Sequence, residues 1–475
     1  MVLEATYTTW DFVRWSTLLL ASGWYGAFWG ISMLGWSVAR AVYTRRPRSP
    51  LASARPDTPV PGVSIIRPLR GLDPNLYENL ESSLRQEYPN FEVIFAVQDP
   101  DDQALKVVRD LIANYPSVPT QIIVGNEVVG SNPKVNNLVR SFQQARHNII
   151  WILDSNVCTE SGTLTRSVDA LTRPSPRSGS LPTTVQPTRR SRVGVVHHVP
   201  FAMTYGASQS LGSRIEEAFL NTTHAKMYIA INYLAIESCV MGKSNMYRRS
   251  DIERLTALPS SRGQYKRQRI TDTGEPEPPI YPPEIITGLP AFGEFLAEDN
   301  MIAASMMHEL GLSHGMSCDV AINALGPMSV YDYIERRVRW IRVRKHMVLT
   351  ATLLEPFTEC LALLFIGWYV ISVSGIVPFW AFALVHIGGW LALDLGVYAA
   401  VAGHPLPASK RFAFLFAWLL RELMAFPIWL YGVLGSDVVW RGQTYTVRRN
   451  GKVRRREQDS AKYLPGRTLL GVVFP

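Results

Sequence analysis

Carboxylates stand in this chain where a sheet protein would present them to a ligand. Asp99 closes the run Phe91-Glu-Val-Ile-Phe-Ala-Val-Gln, Asp154 closes Ile149-Ile-Trp-Ile-Leu, and Asp299 lies in Ala297-Glu-Asp-Asn300. A basic and aromatic stretch, Arg336-Arg-Val-Arg-Trp340, comes next, followed by long apolar segments. When a nucleoside diphosphate leaves a sugar, the negative charge left behind is neutralised well by a divalent cation on hard oxygen ligands. Asp154, followed by Ser155 and Asn156, is the ligand expected for Mg²⁺ or Mn²⁺. Asp73 and Asp99 lie on neighbouring loops suited to holding uridine. An inverting displacement also needs a base opposite the leaving group, and Asp299, at an expected helix start, is the choice. Arg336, Arg339 and Trp340 would steady the diphosphate and donor from the membrane side.

Each of these residues alone has a plainer reading. A strand-end aspartate is ordinarily a turn former or a helix cap. A basic-aromatic helix ordinarily rests on a lipid interface. The order of the whole set, ahead of membrane segments, is what points to sugar transfer at a membrane.

The elements that must position these side chains read as α/β between residues 61 and 348. Val63-Ser-Ile-Ile-Arg67 is a strand entering the loop Arg67-Pro-Leu-Arg-Gly-Leu-Asp73, and Thr120-Gln-Ile-Ile-Val-Gly125 is a further strand beside those ending at Asp99 and Asp154. Helical stretches intervene at 76–86, 104–115 and 134–145. This alternation predicts a mostly parallel sheet with right-handed crossovers. Ligands of such sheets bind beyond the carboxyl ends of the strands, where Asp99 and Asp154 sit. Two stretches, 172–192 and 259–290, are rich in Pro, Ser, Thr, Gly and charge, and are expected to be mobile insertions without chemistry of their own.

The chain has 475 residues and a net charge of +9, with a mean hydropathy of +0.03 that conceals strong segregation. Residues 16–38 carry no charged side chain and are long enough to cross a bilayer. No small-residue cleavage site follows, so a retained anchor over 1–41 is expected. Arg40, Arg45, Arg46 and Arg48 follow this segment, which by the positive-inside tendency places the next domain, 42–348, in the cytosol. Residues 356–373, 377–400 and 412–434 are further candidate spans within a membrane region, 349–436, for about four crossings in all. Asp394, Arg421 and Glu422 within it are expected to face protein, with Glu355 at the interface. A basic tail, 437–475, favours an anionic lipid surface, and no fold signature of a nucleic-acid binder accompanies it. The four cysteines are widely spaced and read as free thiols.

These motifs resemble the ceramide glucosyltransferase family, a membrane branch of the GT-A glycosyltransferases. The matching segments are 63–76, Val97-Gln-Asp-Pro-Asp-Asp102, Val129-Gly-Ser-Asn-Pro-Lys-Val-Asn-Asn-Leu138, Trp151-Ile-Leu-Asp-Ser155, Val193-Gly-Val-Val-His-His-Val-Pro200, Ala297-Glu-Asp-Asn300 and Arg336-Arg-Val-Arg-Trp340. The resemblance implies the three acids Asp99, Asp154 and Asp299 with Arg336, Arg339 and Trp340 as one series. It also implies UDP-glucose as donor, ceramide as acceptor, inversion, and a cytosol-facing site on Golgi or ER membranes. Lys134, His197 and Cys239 match further family positions near the donor. Three other readings are a processive polysaccharide synthase, which usually has Gln where Arg336 stands, a dolichyl-phosphate sugar transferase, and a non-enzymatic membrane protein with a cytosolic module.

Overall fold

A computed structural model of the chain describes residues 9–53, 59–172, 184–185, 192–205, 209–235, 237–257, 285–440, 443–448 and 451–455. Most of the two expected insertions falls outside the described residues.

Val63-Ser-Ile-Ile-Arg-Pro-Leu is buried along nearly its whole length, as a strand covered on both faces must be. It forms β1 (Val63–Leu69), flanked in parallel by β2 (Phe91–Val97) and β4 (Ile149–Leu153), with β3 (Thr120–Val124) beyond β2. Short β5 (Val157–Cys158) and β6 (Thr184–Val185), long β7 (Val193–Thr204), β8 (Ser244–Arg248) and β9 (Ser313–Leu325) complete the sheet. The order is β3-β2-β1-β4-β8-β7-β9-β5, with β6 also on β9. The α/β class is as expected, but the sheet is mixed rather than mostly parallel. β8 runs antiparallel to both β4 and β7, while β7 and β9 are parallel to each other.

Alternate residues of the strands feed two cores, following the two-residue period of a strand. Ile65, Phe95 and Trp151 pack with Leu80 of α2 (Leu76–Leu84), Val108 of α3 (Ala104–Asn114) and Leu164. Ile66, Ile94 and Ile150 pack on the other face against Val135 and Leu138 of α4 (Pro133–Gln144) and Ile302. Leu164 lies in α5 (Thr163–Thr172) and Ile302 in α9 (Glu298–Glu309). Between β7 and β9 the chain forms α6 (Leu211–Phe219), a π-helical turn Leu220–His224, α7 (Ala225–Leu234) and the single turn α8 (Arg249–Ile252).

The Arg336–Trp340 motif lies on α10 (Val330–Met347), started by a reciprocal capping box between Ser329 and Asp332. After it come α11 (Leu349–Leu354), α12 (Cys360–Ser372), α13 (Phe379–Ala402) and α14 (Arg411–Leu434). At the start of the chain, α1 (Thr9–Tyr43) runs well past the expected apolar core. Three described helices are long and apolar enough to cross a membrane: 10–43, 379–402 and 408–434. The expected span at 356–373 is instead part of a pair bent by 69°, Leu349–Thr358 with Cys360–Ser372, which brings the count to four if the pair is one crossing. The break falls at Glu359, whose backbone is extended, and α12 alone has 13 residues, too few to span hydrocarbon.

Helices α6 and α7 join the sheet to this apolar layer, α7 packing on α1 and α6 on α14, while α10 also packs on α14. Charges within the layer face protein, as expected. Lys226 and Asp394 are wholly buried, 2.7 Å apart, and Trp418 Nε1 donates to Asp394 at 2.8 Å. Arg421 pairs with Glu359 at 2.6 Å and with Glu422. Glu355 takes Arg344 and, at 3.8 Å, Arg337. Within the expected basic tail, β10 (Asp437–Trp440), β11 (Gln443–Val447) and β12 (Val453–Arg455) form a small antiparallel sheet. Lys452 Nζ meets Glu294 at 2.7 Å, so this sheet rests against the segment leading into α9.

Candidate active site

The site grows from the first turn of α4. Asn132 caps that helix, accepting from Lys134 N at 2.8 Å, and Pro133 occupies the first helical position, where its missing N–H is harmless. Lys134 therefore sits at a helix N-terminus, where a cation is unfavourable unless compensated. Three carboxylates compensate it: Nζ lies 3.2 Å from Asp154, 2.9 Å from Glu298 and 3.0 Å from Asp299. Burial acts against the Lys134 ammonium, but Asp154, Asp299 and Glu298 outweigh it and raise its pKa well above that of an ordinary lysine.

Asp154 arrives at the end of β4. Because β8 runs antiparallel to β4, with Leu153 opposite Ser244, the residue before β8 lands beside Asp154. That residue is Lys243, whose carbonyl accepts from Asp154 N at 3.1 Å. Its Nζ lies 3.0 Å from Asp154 Oδ2 and 3.0 Å from Asn156 Oδ1. Burial pushes the Asp154 carboxyl up, but Lys134 and Lys243 together bring it below the ordinary value. For Lys243 burial is the largest influence and the net shift is downward, Asp154 opposing it and Arg336 adding to it.

Asp299 and Glu298 open α9, where acids are favourable at the positive end of the helix. Lys134 donates to Asp299 Oδ2, and Asn245 Nδ2 donates to Oδ1 at 2.8 Å. Glu298 accepts from Asn132 Nδ2 at 2.7 Å. Burial, with the Asp299 charge beside it, pushes the Glu298 carboxyl up against the pull of Lys134. Gly242 passes so close that a Cβ there would strike Asp299 Oδ2.

Asp154, Asp299 and Lys134 thus converge, and Asp73 reaches the edge of the same group through Ser155, which donates to its carboxylate. Asp99 lies on the exposed end of β2, its carboxylate accepting from Asp101 N at 2.9 Å in its own turn. His197 is wholly buried, with Nδ1 2.6 Å from Tyr228 Oη, and Tyr228 Oη accepts from Met241 N at 3.1 Å. It therefore underpins the loop from Cys239 to Lys243 rather than facing that loop's outer side. Burial raises the Cys239 thiol, whose backbone is held by Asn232. Arg336 pairs with buried Glu216 at 2.8 Å and lies over the Trp340 ring. Trp340 packs against Ala202, Phe219, Leu220 and Leu325. Arg339 shares this helix and has partners of its own.

Several residues at the centre were not singled out from sequence. Lys243, Asn245 and Glu298 were visible as residue types, but only the antiparallel pairing of β8 brings the first two beside Asp154 and Asp299. Arg67 was legible as part of a motif but not in its role. It is wholly buried and donates to the carbonyls of Asp154 and Val157, both at 2.8 Å, to Asn79 O at 2.6 Å and to Ser83 Oγ at 2.7 Å. Burial lowers its guanidinium to about 9.

Among the described residues no group of three or more His, Cys, Asp or Glu is arranged to hold a metal. A catalytic Mg²⁺ needs fewer, since one or two carboxylates, substrate phosphates and water complete its shell. Asp154 Oδ2 and Asn156 Oδ1 already converge on one cationic centre, the Lys243 ammonium. Two hard oxygens aimed at one positive charge fit a divalent cation.

A helix-flanked sheet with acids at its strand ends, followed by a basic-aromatic helix and set on apolar helices, is that of a membrane-associated glycosyltransferase. Residues 27–259 and 284–453 match the model of glycosyl transferase family 21, and the chain belongs to that family. It is 36% identical over 434 residues to the ceramide glucosyltransferase of Komagataella phaffii, covering 83% of this chain and 85% of that protein. It is 31% identical over 487 residues to the ceramide glucosyltransferase of Candida albicans, covering 82% and 87%. Among solved structures, the mannosyltransferase PcManGT from Pyrobaculum calidifontis in complex with GDP-Man and Mn²⁺ is 17% identical, with a TM-score of 0.42 over 86% of this chain and 99% of that one.

Proposed function

We propose that the chain transfers glucose from UDP-glucose to the primary hydroxyl of ceramide with inversion, giving β-glucosylceramide and UDP. The observation that carries this reading is the convergence of Asp154, Glu298 and Asp299 on the single ammonium of Lys134, in a chain whose relatives are ceramide glucosyltransferases. In the displacement, the ceramide oxygen bonds to the anomeric carbon as the bond from that carbon to the diphosphate breaks. Asp299 takes the hydroxyl proton, and Lys134 and Asn245 hold its carboxylate in one orientation for that transfer. Lys134 is engaged by carboxylates, so its part is to organise the acids rather than to grip phosphate.

Asp154 and Asn156 would hold Mg²⁺ or Mn²⁺, which when bound neutralises charge on the departing UDP. Asp73 and Asp99 would hold the uridine side. Helix α10, with Arg336, Arg339 and Trp340, would close the site from the membrane side, where ceramide arrives. Residues 42–348 would form the transfer domain, between an anchor at 1–41 and membrane helices at 349–436, facing the cytosol from Golgi or ER membranes. The test is transfer by the purified chain in ceramide-containing vesicles offered UDP-glucose, UDP-galactose or UDP-N-acetylglucosamine. A single glucosyl lipid from UDP-glucose alone is expected. A polymer, or a different preferred sugar, would sink the reading.

A further inference from the structure

The two lysines on Asp154 are not equivalent. Lys134 serves three carboxylates at once, and withdrawing it would leave Glu298 and Asp299 uncompensated in a buried site. Lys243 serves one carboxylate and one neutral amide oxygen. It can move away and leave no second acid unpaired. Its backbone cannot: Lys243 O accepts from Asp154 N at 3.1 Å and Lys243 N donates to Met241 O at 2.8 Å, so the side chain starts beside Asp154 whatever the state of the site. The loop carrying it is fixed from below by the chain His197–Tyr228–Met241 N. At Gly242 a side chain would collide with Asp299.

The Lys243 ammonium therefore occupies the point on which Asp154 Oδ2 and Asn156 Oδ1 converge. A divalent ion needs those oxygens at about 2.0–2.1 Å, and two positive charges cannot share them without strong repulsion. We propose that Lys243 is the resident counter-ion of Asp154, competing with the divalent cation for Asp154 and Asn156. With a cation held there, the Lys243 ammonium would be released from Asp154 and Asn156 while its backbone stays beside them. This rests on the glycosyltransferase reading above, but it concerns cation binding and is measured apart from transfer.

The experiment uses the full chain in detergent or nanodiscs and titrates Mn²⁺ without nucleotide, reading the free ion by electron paramagnetic resonance. Lys243→Met should bind Mn²⁺ about tenfold more tightly than the natural chain, a difference of about 1.4 kcal/mol. Lys243→Arg, which keeps the charge, should bind as weakly as the natural chain. Lys243→Gln serves if the Met variant does not fold, with the same tightening expected. In an Asp154→Asn background, Lys243→Met should have no effect on Mn²⁺. Equal Mn²⁺ affinity in the natural chain and the uncharged variants overturns the proposal and leaves glucosyl transfer standing. Failure of the natural chain to make glucosylceramide, with the Mn²⁺ competition intact, overturns the substrate reading and leaves Lys243 in place.

Discussion

Arg67 Nη1 donates to the carbonyl oxygen of Asp154 at 2.8 Å, gripping the backbone of the acid loop while the Asp154 carboxylate is held by lysines. A wholly buried guanidinium ordinarily needs a carboxylate partner, yet this one is met by backbone carbonyls and serine hydroxyls. Its planar fork matches several acceptors at once, which an ammonium cannot do. The acid loop and the second half of α2 are tied together through this one side chain.

Arg67→Lys should therefore leave buried carbonyls short of donors and destabilise the chain by about 3 kcal/mol or more. A lowered thermal midpoint in detergent, with a fall in transfer, is expected. If the lysine variant melts and works like the natural chain, the clamp has no role.

Asp299 is oriented by two donors, Lys134 at 3.0 Å and Asn245 at 2.8 Å. Asp299→Asn preserves the side chain's size but removes its capacity to take a proton. Transfer should fall by about a hundredfold or more, in keeping with the loss of a general base, while UDP-glucose still binds. Loss of nucleotide binding would move Asp299 from the acceptor's proton to the donor's grip.

Much of this site was legible because half of it is local. Asp154 ends a strand of a plain strand–helix alternation, and the Asn-Pro-Lys segment carries a cap, a first-turn proline and a lysine within three residues. What was hidden depends on pairing across long separations. Lys243 meets Asp154 because β8 returns antiparallel to β4, after a helical excursion onto the apolar layer that no short window reveals. The mixed sheet has the same origin. The small C-terminal sheet was hidden for another reason: in a stretch so rich in arginine and lysine, Val438, Tyr445, Val447 and Val453, which form its core, are too few and too spread to stand out.

Gly242 lies where the loop before β8 passes under Asp299. A methyl group there would collide with Asp299 Oδ2 and crowd Lys134 Nζ at 3.3 Å. Gly242→Ala should therefore displace the carboxylate while leaving the sheet intact, since the added methyl meets the Asp299 and Lys134 side chains rather than the strands. The expected result is transfer reduced at least about tenfold, as a misplaced catalytic group commonly causes, with a thermal midpoint close to that of the natural chain. Unchanged transfer would show that Asp299 tolerates a shift and is not held to one geometry.

His198 sits in the core with Ser167 Oγ 2.9 Å from Nε2 and Ser244 Oγ 2.7 Å from Nδ1, and Ser244 also accepts from Trp151 Nε1 at 2.9 Å. Burial is the chief cause that lowers His198 from 6.5 to about 4, with Asp319 opposing and Arg166 reinforcing it. Between those values the unfolded chain binds a proton that the folded chain refuses, so stability rises with pH across this window and is lost on acidification. The shift is worth about 3 kcal/mol, and buried His197 is displaced in the same direction. The thermal midpoint should fall steadily as pH is lowered from about 6.5 toward 4. His198→Gln removes this proton-binding site, so its midpoint should depend less steeply on pH there, even if lower at neutral pH. Parallel pH profiles for the two chains would place the acid sensitivity elsewhere.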